Sequence, residues 1–234
     1  MKKLKALLSV FLIIIIALGC NGCMKSNGKG FVSYLENKYP NDKFEFVGFE
    51  GGTLFGGDTL KVSRCTSQIL SGCEIYVVYD KNEKKYSDNY LDMKYSNETD
   101  NAISNVFNTA FQNEEFCFIT AEENFYTTTK SNFLDSDTDF AAYKNRRGIP
   151  IYAFVTNNAQ KTHDEIVSDL EKTIIGEGLY CNSVDIYILD DFDSDLENND
   201  SLQNNIVINN KYADHLFATM SSSLGFDSVE WENE

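Results

Sequence analysis

The sequence predicts an α+β fold, with a mixed or antiparallel sheet that carries amphipathic helices on one face. The order strand, amphipathic helix, strand occurs twice, at Glu74–Thr120 and at Pro150–Leu189. Hydrophobic residues make up 42% of the chain and aromatic residues 13%, which is enough for a packed core and argues against disorder. We therefore expect a single domain over 31–234, built from two βαβ-like halves at 31–130 and 149–234.

The first half begins with a predicted helix and three predicted strands. Apolar residues recur at helical spacing over Phe31–Tyr39, and Pro40 ends this helix because proline cannot continue it. Apolar and polar residues alternate over Phe44–Phe49, as they do in a half-buried strand. The runs Thr59–Arg64 and Glu74–Tyr79 follow, and we expect both to be strands.

A long helix is predicted next, over Tyr90–Phe111. Its apolar residues fall at i, i+3, i+4, i+7 and i+8, and this spacing puts them on one face that can pack on a sheet. These residues are Ile103, Val106, Phe107, Ala110 and Phe111. A strand is predicted over Glu115–Thr120, and the polar segment Ser131–Gly148 is predicted to be a loop.

The second half has the clearest helix start in the chain. After a predicted strand over Pro150–Val155, Thr162 and Glu165 have the spacing of a capping box, in which each side chain can bind the other residue's backbone N–H. Either Gly176 or Gly178 is expected to end the helix, because glycine adopts the left-handed conformation found at helix ends.

Three elements are predicted for the C-terminal region. Val184–Leu189 is apolar and β-branched and is expected to be a strand. Ile206–Ile208 is predicted to be a short final strand, and Tyr212–Leu224 a final helix with Gly225 as its cap.

The first twenty residues predict export. Lys2, Lys3 and Lys5 form a positively charged start, and Ala6–Leu18 is an apolar run of 13 residues. A secretory signal has an apolar core of roughly 7–15 residues, whereas a membrane-spanning helix needs about 20. The segment is therefore predicted to be a signal peptide over 1–19.

The end of this segment, Ala17-Leu18-Gly19-Cys20, resembles the lipobox of bacterial lipoproteins. The resemblance implies that Cys20 carries diacylglycerol, with fatty acids such as palmitate, and becomes the mature N-terminus after cleavage. Residues 20–30 would then be the lipidated cysteine and a flexible tether. The expected location is the extracytoplasmic face of the cell membrane; the alternative is an ordinary secreted protein that is cleaved nearby.

A wider resemblance is to small lipoproteins of Gram-positive bacteria. The segments YLENKYPNDKFEFVG and KKYSDNYLDMKY have the character of their compact α+β domains. This resemblance implies a cellular location and no reaction.

Charge excludes two classes of partner. Removing residues 1–19 takes away three lysines and no acidic residue, so the net charge changes from −16 to −19. A chain with this charge repels nucleic acid and anionic lipid. The expected partners are the membrane, through Cys20, and a protein or glycan of the cell envelope.

The cysteines give one candidate disulfide. Cys65 and Cys73 flank a predicted hairpin loop, and an export signal permits them to pair. Cys20 and Cys23 form a C-x-x-C motif, but they lie at the cleavage junction without the strand and helix of a redox site. The other two cysteines are expected to be small buried side chains: Cys117 and Cys181.

The best candidate for a cofactor is a calcium ion at Asp191, Asp193 and Asp195. Their D-x-D-x-D spacing offers the carboxylate oxygens that calcium prefers. However, Leu196 stands where a calcium loop needs glycine, and Leu202 where it needs glutamate. A solvated acidic loop, with no cofactor in the protein, is the favoured interpretation.

No motif nominates a catalytic residue. The sequence has no G-x-S-x-G motif, and its two histidines, His163 and His215, have no zinc-binding spacing. We expect His163 to be an exposed residue of a first helical turn and His215 to lie at a helix boundary. Whether the protein is an enzyme stays open, with a non-catalytic role favoured.

Tyrosines are the remaining functional clue. Five of them occur within one strand, turn and helix start: Tyr76, Tyr79, Tyr86, Tyr90 and Tyr95. They could form a contact surface for a glycan or a protein, but half-buried packing is the favoured interpretation.

Two functional hypotheses follow. The first is a lipid-anchored, non-catalytic binding or accessory module of the cell envelope. The alternative is a surface hydrolase or calcium-dependent domain that uses its acidic residues.

Overall fold

The structure is a computed structural model in which the chain divides into two compact units, Met1–Met93 and Lys94–Glu234. It describes residues 28–49, 59–112, 114–120, 134–157, 161–193, 195–196, 203–204, 206–207, 209, 211–221 and 225–232. Each unit combines helices with its own sheet, one antiparallel and one mixed. The predicted α+β fold is confirmed.

The first unit contains an antiparallel meander of four strands. Its elements are α1 (28–38), β1 (Phe44–Phe49), β2 (Leu60–Ser67), β3 (Glu74–Asp80), β4 (Lys85–Asp88) and α2 (Tyr90–Lys94). The strands are hydrogen-bonded in the order β1-β2-β3-β4. The fourth strand is absent from the predictions, because the polar run around it indicates a turn.

Helix α1 packs on this sheet through the face that its sequence predicts. The Phe31 ring lies 5.7 Å from Phe49 and 5.5 Å from Tyr86, measured between ring centroids. Leu35, one turn later, is fully buried. Residues three and four apart share a helix face, so the spacing of these residues decides which side of α1 is buried.

The second unit contains a five-stranded mixed sheet. Its elements are α3 (Ser96–Ala110), β5 (Phe116–Thr120), α4 (Phe140–Arg146), β6 (Pro150–Thr156), α5 (His163–Glu177), β7 (Ser183–Leu189), β8 (Asp214–Thr219) and β9 (Ser228–Trp231). The strand order is β5-β6-β7-β8-β9, and β6 pairs with β7 in parallel while the other pairs are antiparallel.

Only the second of the two predicted halves is a βαβ unit in one sheet. Strand β6, helix α5 and the parallel strand β7 form it. In the first predicted half, Glu74–Asp80 and Phe116–Thr120 belong to different sheets. The reason is that β3 is already paired on both sides by β2 and β4, so a further strand has no free edge there. The boundary between units accordingly follows Met93 rather than falling between 130 and 149.

Helices cover one face of the second sheet. In α3, the Phe107 ring stacks on Phe116 of β5 at 5.3 Å between centroids. Helix α5 begins with the predicted capping box of Thr162 and Glu165 and ends at Gly178, which is left-handed with φ 66°. The capping and glycine predictions are therefore confirmed, with Gly178 rather than Gly176 as the cap.

Three local predictions are wrong. Strand β8 replaces the predicted helix over Tyr212–Leu224, because its edges pair with β7 and β9 and outweigh the helix-forming residues. Ile206 and Val207 are helical instead of extended. Within the predicted loop Ser131–Gly148, α4 begins at Asp139, whose side chain accepts a hydrogen bond from the Ala142 N–H at 2.8 Å. Among the described helices, none is long and apolar enough to cross a membrane.

Candidate functional site

The predicted lipidation site, Cys20, lies outside the described residues, as does the tether up to residue 27. Its modification stays a prediction from the sequence.

The three aspartates of the candidate calcium site lie directly after β7. Asp191, Asp193 and Asp195 are exposed, and Asp193 accepts a hydrogen bond from the Asp195 N–H at 2.9 Å. Leu196 is fully buried, so the residue that replaces the loop glycine is a core side chain. No group of three or more histidine, cysteine or acidic side chains among the described residues is placed to hold a metal ion. Leu202 lies outside the described residues.

The candidate disulfide partners are both free thiols in the structure. Cys65 is buried and is paired across the sheet with Ile75, so Cys73 is not its direct cross-strand neighbour. Cys73 is half-buried at the start of the return strand. Their oxidation in the exported protein stays a prediction.

The tyrosines of the predicted contact surface mostly pack against other rings. Tyr86 lies 4.7 Å from Tyr79 and 5.0 Å from Tyr34 between ring centroids. Tyr90 is buried and stacks on Tyr39 at 4.0 Å. These contacts favour the packing interpretation over a contact surface in the first unit.

A buried carboxylate, Asp88, organises the polar interior of the first unit. Its oxygens accept hydrogen bonds from the hydroxyls of Tyr34 at 2.6 Å and Tyr39 at 2.8 Å, and from the Tyr90 N–H at 3.1 Å. Lys38 donates to it at 2.8 Å and forms an ion pair. Burial, reinforced by the charge of Asp88, raises the pKa of Tyr34 and of Tyr39, so both phenols stay protonated donors.

A second buried carboxylate, Asp42, is held by main-chain and hydroxyl donors. It accepts hydrogen bonds from the Ser67 and Tyr90 hydroxyls and from the Lys43 and Ile69 N–H groups. Burial by itself raises the pKa of Asp42, but the hydrogen bonds, that of Ser67 first, outweigh burial and hold this pKa below its usual value. Both aspartates are fully engaged within the fold, so we assign them a structural role.

The second sheet carries a different cluster on the face opposite α3 and α5. His215 on β8 places Nε2 2.6 Å from Asp185 Oδ1 and Nδ1 3.2 Å from Glu232 Oε2. The Nδ1 contact is an ion-pair distance whose angle falls short of a hydrogen bond. The ring stacks on Tyr187 at 4.3 Å, and its side chain is only 12% exposed.

Glu232 is shared between two partners. The Tyr212 hydroxyl donates to Glu232 Oε2 at 2.9 Å, and the Glu232 N–H donates to the His215 carbonyl at 2.9 Å. The Tyr212 hydrogen bond, followed by His215, holds the pKa of Glu232 below its usual value, and the same hydrogen bond raises the pKa of Tyr212. Burial and the charge of Asp185 raise the pKa of Tyr187 to about 12.

The other histidine lies on the helix-covered face and contacts the same terminal strand. His163, the first residue of α5, stacks on Trp231 with 3.8 Å between ring centroids and 8° between planes. Its Nε2 lies 2.7 Å from Asp214 Oδ2. The other oxygen of Asp214, Oδ1, accepts a hydrogen bond from the backbone N–H of His215 at 2.8 Å. His163 is in the first turn of a helix, as the sequence predicts, but it is half-buried at the sheet edge and not exposed.

Beside His215, one row of side chains crosses four strands on the same face. Tyr152 is paired with Asp185, Asp185 with Phe217, and Phe217 with Glu230. Tyr152 and Phe217 are half-buried, the Asp185 side chain is 28% exposed, and Glu230 is exposed. We call these four residues the open row. It combines aromatic surface for stacking with carboxylates that accept hydrogen bonds.

Strand periodicity could have indicated part of this site. In Val184–Leu189, alternation puts Asp185 and Tyr187 on one face, opposite Val184, Ile186 and Ile188. His215 and Phe217 have the same two-residue spacing, but the segment Tyr212–Leu224 is predicted to be a helix, in which residues two apart do not share a face. No local signal links Asp185 to His215, because they are thirty residues apart in the chain and meet only through strand pairing.

Comparisons with known proteins do not assign a family. No protein-family model matches the chain, and no curated protein matches it. Among solved structures, it is similar to the 2.55 Å crystal structure of a DUF5037 family protein from Ruminococcus gnavus ATCC 29149. The sequence identity is 15%, the match covers 84% of this chain and 92% of that chain, and the TM-score is 0.37.

Proposed function

We propose that this protein is a lipid-anchored component of the extracytoplasmic membrane face and acts there as a non-catalytic binding or accessory module. The observation that carries the proposal is the sequence Ala17-Leu18-Gly19-Cys20 at the end of a 13-residue apolar run that follows three lysines. Two acyl chains on one cysteine hold a protein on a membrane stably, since each buried methylene contributes about 0.8 kcal/mol.

The open row supports a binding role for the second unit. Its rings can stack on a sugar or on an apolar side chain, while Asp185 and Glu230 can accept hydrogen bonds from hydroxyl or ammonium groups. Burial raises the pKa of Tyr152, so this phenol stays protonated, and its hydroxyl donates a hydrogen bond to Tyr187 within the same face of the sheet. An envelope glycan or protein is the class of partner that this chemistry fits.

The anchoring is tested by mass spectrometry of the intact protein from its native membrane fraction. We expect the wild type and Cys23→Ala to carry a diacylglyceryl mass at Cys20 and to remain with the membrane. Cys20→Ala is expected to lose this mass and to leave the membrane. An unmodified Cys20 in a soluble wild-type protein would contradict the proposal.

The binding role is tested by co-sedimentation with purified peptidoglycan. We expect Phe217→Ala to weaken sedimentation of the protein, because it removes a ring from the open row. Val229→Ala is the matched control, since Val229 is exposed on the neighbouring strand and its cross-strand partner Ala218 faces the helices. If the wild type does not sediment with peptidoglycan, then peptidoglycan is not the partner, and a protein of the envelope is the remaining class of partner.

The calcium-dependent alternative is separated by a calcium titration followed by thermal melting. An ion that binds only the folded state must raise the melting temperature, with saturation at a defined concentration. No rise up to millimolar calcium would remove the site at Asp191, Asp193 and Asp195.

A further inference from the structure

The C-terminal strand β9 lies at the edge of the second sheet and has mostly exposed side chains. Its residues Ser228, Val229 and Glu230 are exposed, and only Trp231 is half-buried. Beyond its backbone pairing with β8, Ser228 Oγ of the strand lies 2.7 Å from Thr219 Oγ1, the Tyr212 hydroxyl donates to Glu232, and a histidine contacts the end of the strand on each face of the sheet. Trp231 stacks on His163 on one face of the sheet, and Glu232 contacts His215 on the other. These are the two histidines of the chain.

The surroundings of His215 suit a protonated ring. Both ring nitrogens face a carboxylate oxygen, Nε2 towards Asp185 and Nδ1 towards Glu232. A neutral imidazole has one N–H and one lone pair, so only the positively charged imidazolium is attracted to both carboxylates. The stack with Tyr187 also favours a positive ring, because the face of an aromatic ring is electron-rich.

We propose that protonated His215 holds strand β9 against the sheet, and that loss of this proton loosens the strand. In a neutral His215 one lone pair faces a carboxylate and repels it. Asp185 lies inside the central strand β7, whereas Glu232 is exposed and follows the edge strand β9. The repulsion is therefore relieved at Glu232, which carries the end of β9 with it.

His163 has a different part in this arrangement. It faces Asp214 on β8 and Trp231 on β9, and Asp164 and Glu165 follow it on its own helix. The ring of His163 stacks flat on Trp231, with 3.8 Å between ring centroids and 8° between planes. We therefore assign the pH dependence to His215, which faces Asp185, Glu232, Tyr187 and Tyr212, and assign to His163 the packing of Trp231.

The sign of the pH dependence follows from these charges. The attraction between the His215 ring and Glu232 requires the ring proton, so docking of β9 weakens as the pH rises through the range of about pH 5–8 in which histidines change charge. The pKa of Glu232 is lowered, so its contribution is present above its unfolded-state pKa and is lost as the pH falls through its folded-state pKa. We expect docking to be strongest near about pH 5–6 and to weaken on both sides.

Trp231 reports docking directly, because it is the only tryptophan of the chain. The experiment measures acrylamide quenching of its fluorescence in the full chain, solubilised in neutral detergent, as a function of pH. Accessibility to acrylamide is used rather than brightness, because protonation of the stacked His163 changes brightness by itself. For the wild type we expect the quenching constant to rise about twofold or more from about pH 5.5 to about pH 8.5.

Three variants separate the proposal from a general effect of pH. Glu232→Gln, at an exposed position, removes the charge that attracts the protonated ring and repels the neutral one, so it is expected to lose the pH dependence of quenching, as is His215→Gln. Asp227→Asn is the matched control, because Asp227 is exposed beside β9 and its contact is a backbone hydrogen bond to Thr219. It is expected to follow the wild-type curve.

Two results would overturn the proposal: a wild-type quenching constant that does not change with pH, or a Glu232→Gln variant that behaves like the wild type. The second result needs no substitution in the buried cluster, so it stands even if His215→Gln fails to fold. The proposal concerns the fold of the second unit and does not depend on lipidation. An unmodified Cys20 would leave it intact.

Discussion

The Tyr90 hydroxyl donates a hydrogen bond of 3.0 Å to Asp42, forty-eight residues earlier in the chain, while the Tyr90 main-chain N–H donates to Asp88. One residue thus joins the two buried carboxylates of the first unit. Both aspartates are almost completely buried. If one of their hydrogen-bond donors is removed, water cannot replace it, and part of the carboxylate charge is left unpaired.

The first prediction concerns this hydroxyl. Tyr90→Phe keeps the ring that stacks on Tyr39 but removes the donor to Asp42, and hydrogen bonds to charged groups contribute about 2 kcal/mol. We expect the free energy of unfolding of the first unit to fall by about that amount, measured by urea denaturation followed by near-ultraviolet circular dichroism. Tyr86→Phe is the control, since ring packing is its described contribution. Equal losses in the two variants would contradict the prediction.

The second prediction is the acid sensitivity of the first unit. The pKa of Asp42 is lower in the folded protein than in the unfolded chain, so its stabilisation is present above the unfolded-state pKa of about 3.9. It is lost as the pH falls through the folded-state value. We expect unfolding free energies of the wild type to decrease below about pH 4 more steeply than those of Asp42→Asn. Parallel pH curves for the two proteins would show that Asp42 is not a source of the acid sensitivity.

The third prediction compares a buried ion pair with an exposed one. Asp88 is 1% exposed in its side chain and Lys38 19%, so Asp88→Asn leaves a largely buried lysine without its charge partner. We expect a loss of about 3 kcal/mol. Glu36→Gln removes a pair with Lys43 of 3.8 Å between residues that are 39% and 71% exposed, and should cost about 0.5 kcal/mol or less. Denaturation of both variants under the same conditions tests the difference.

Local sequence signals predict those elements that are stabilised by contacts between residues close together in the chain. Thr162 and Glu165 satisfy each other's backbone groups, so the start of α5 is visible in four residues. Strand β8 is the opposite case. Its segment contains good helix formers, and it becomes a strand because β7 and β9 offer it hydrogen-bonding edges on both sides. Those partners are distant in the chain, so no local pattern contains the information.

The residues of the candidate site are also brought together by strand pairing and not by closeness in the sequence. Asp191, Asp193 and Asp195 suggest a site because they are close in sequence, but no group of three metal-binding side chains is found among the described residues. Asp185, His215 and Glu232 converge, although their sequence neighbours suggest no site. Pairing of β7 with β8, and of β8 with β9, brings the three together. A prediction of this cluster would therefore need the strand order first.

The fourth prediction uses two glycines of one helix end. Gly178 has φ 66°, a conformation that costs a residue with a Cβ about 1 kcal/mol, so Gly178→Ala should destabilise the second unit by that amount. Gly176 is helical, exposed and surrounded by open space, so Gly176→Ala should stabilise it by about 0.5–1 kcal/mol. The measurement is thermal unfolding followed by Trp231 fluorescence. Shifts of the same sign would contradict the assignment of Gly178 as the cap.

The last prediction is the order in which the described cysteines react with a thiol reagent. Burial raises the pKa of Cys65 to about 11 and that of Cys181 to about 12, and a thiol must lose its proton to react. Cys73 is half-buried, whereas Cys117 is buried like the other two. In the folded, reduced protein we expect Cys73 to be labelled first, as read by mass spectrometry of proteolytic peptides.

The same labelling without reductant decides whether Cys65 and Cys73 pair after export. A disulfide would leave Cys73 unlabelled until reductant is added, and would lower the mass of the joined peptides by two hydrogens. Forming it requires Cys65 to leave its register opposite Ile75 or β3 to shift, because disulfides tolerate only a narrow range of distances between the Cα atoms. We therefore expect Cys73 to label in the unreduced protein as well, and an unlabelled Cys73 would instead support the disulfide that the sequence suggests.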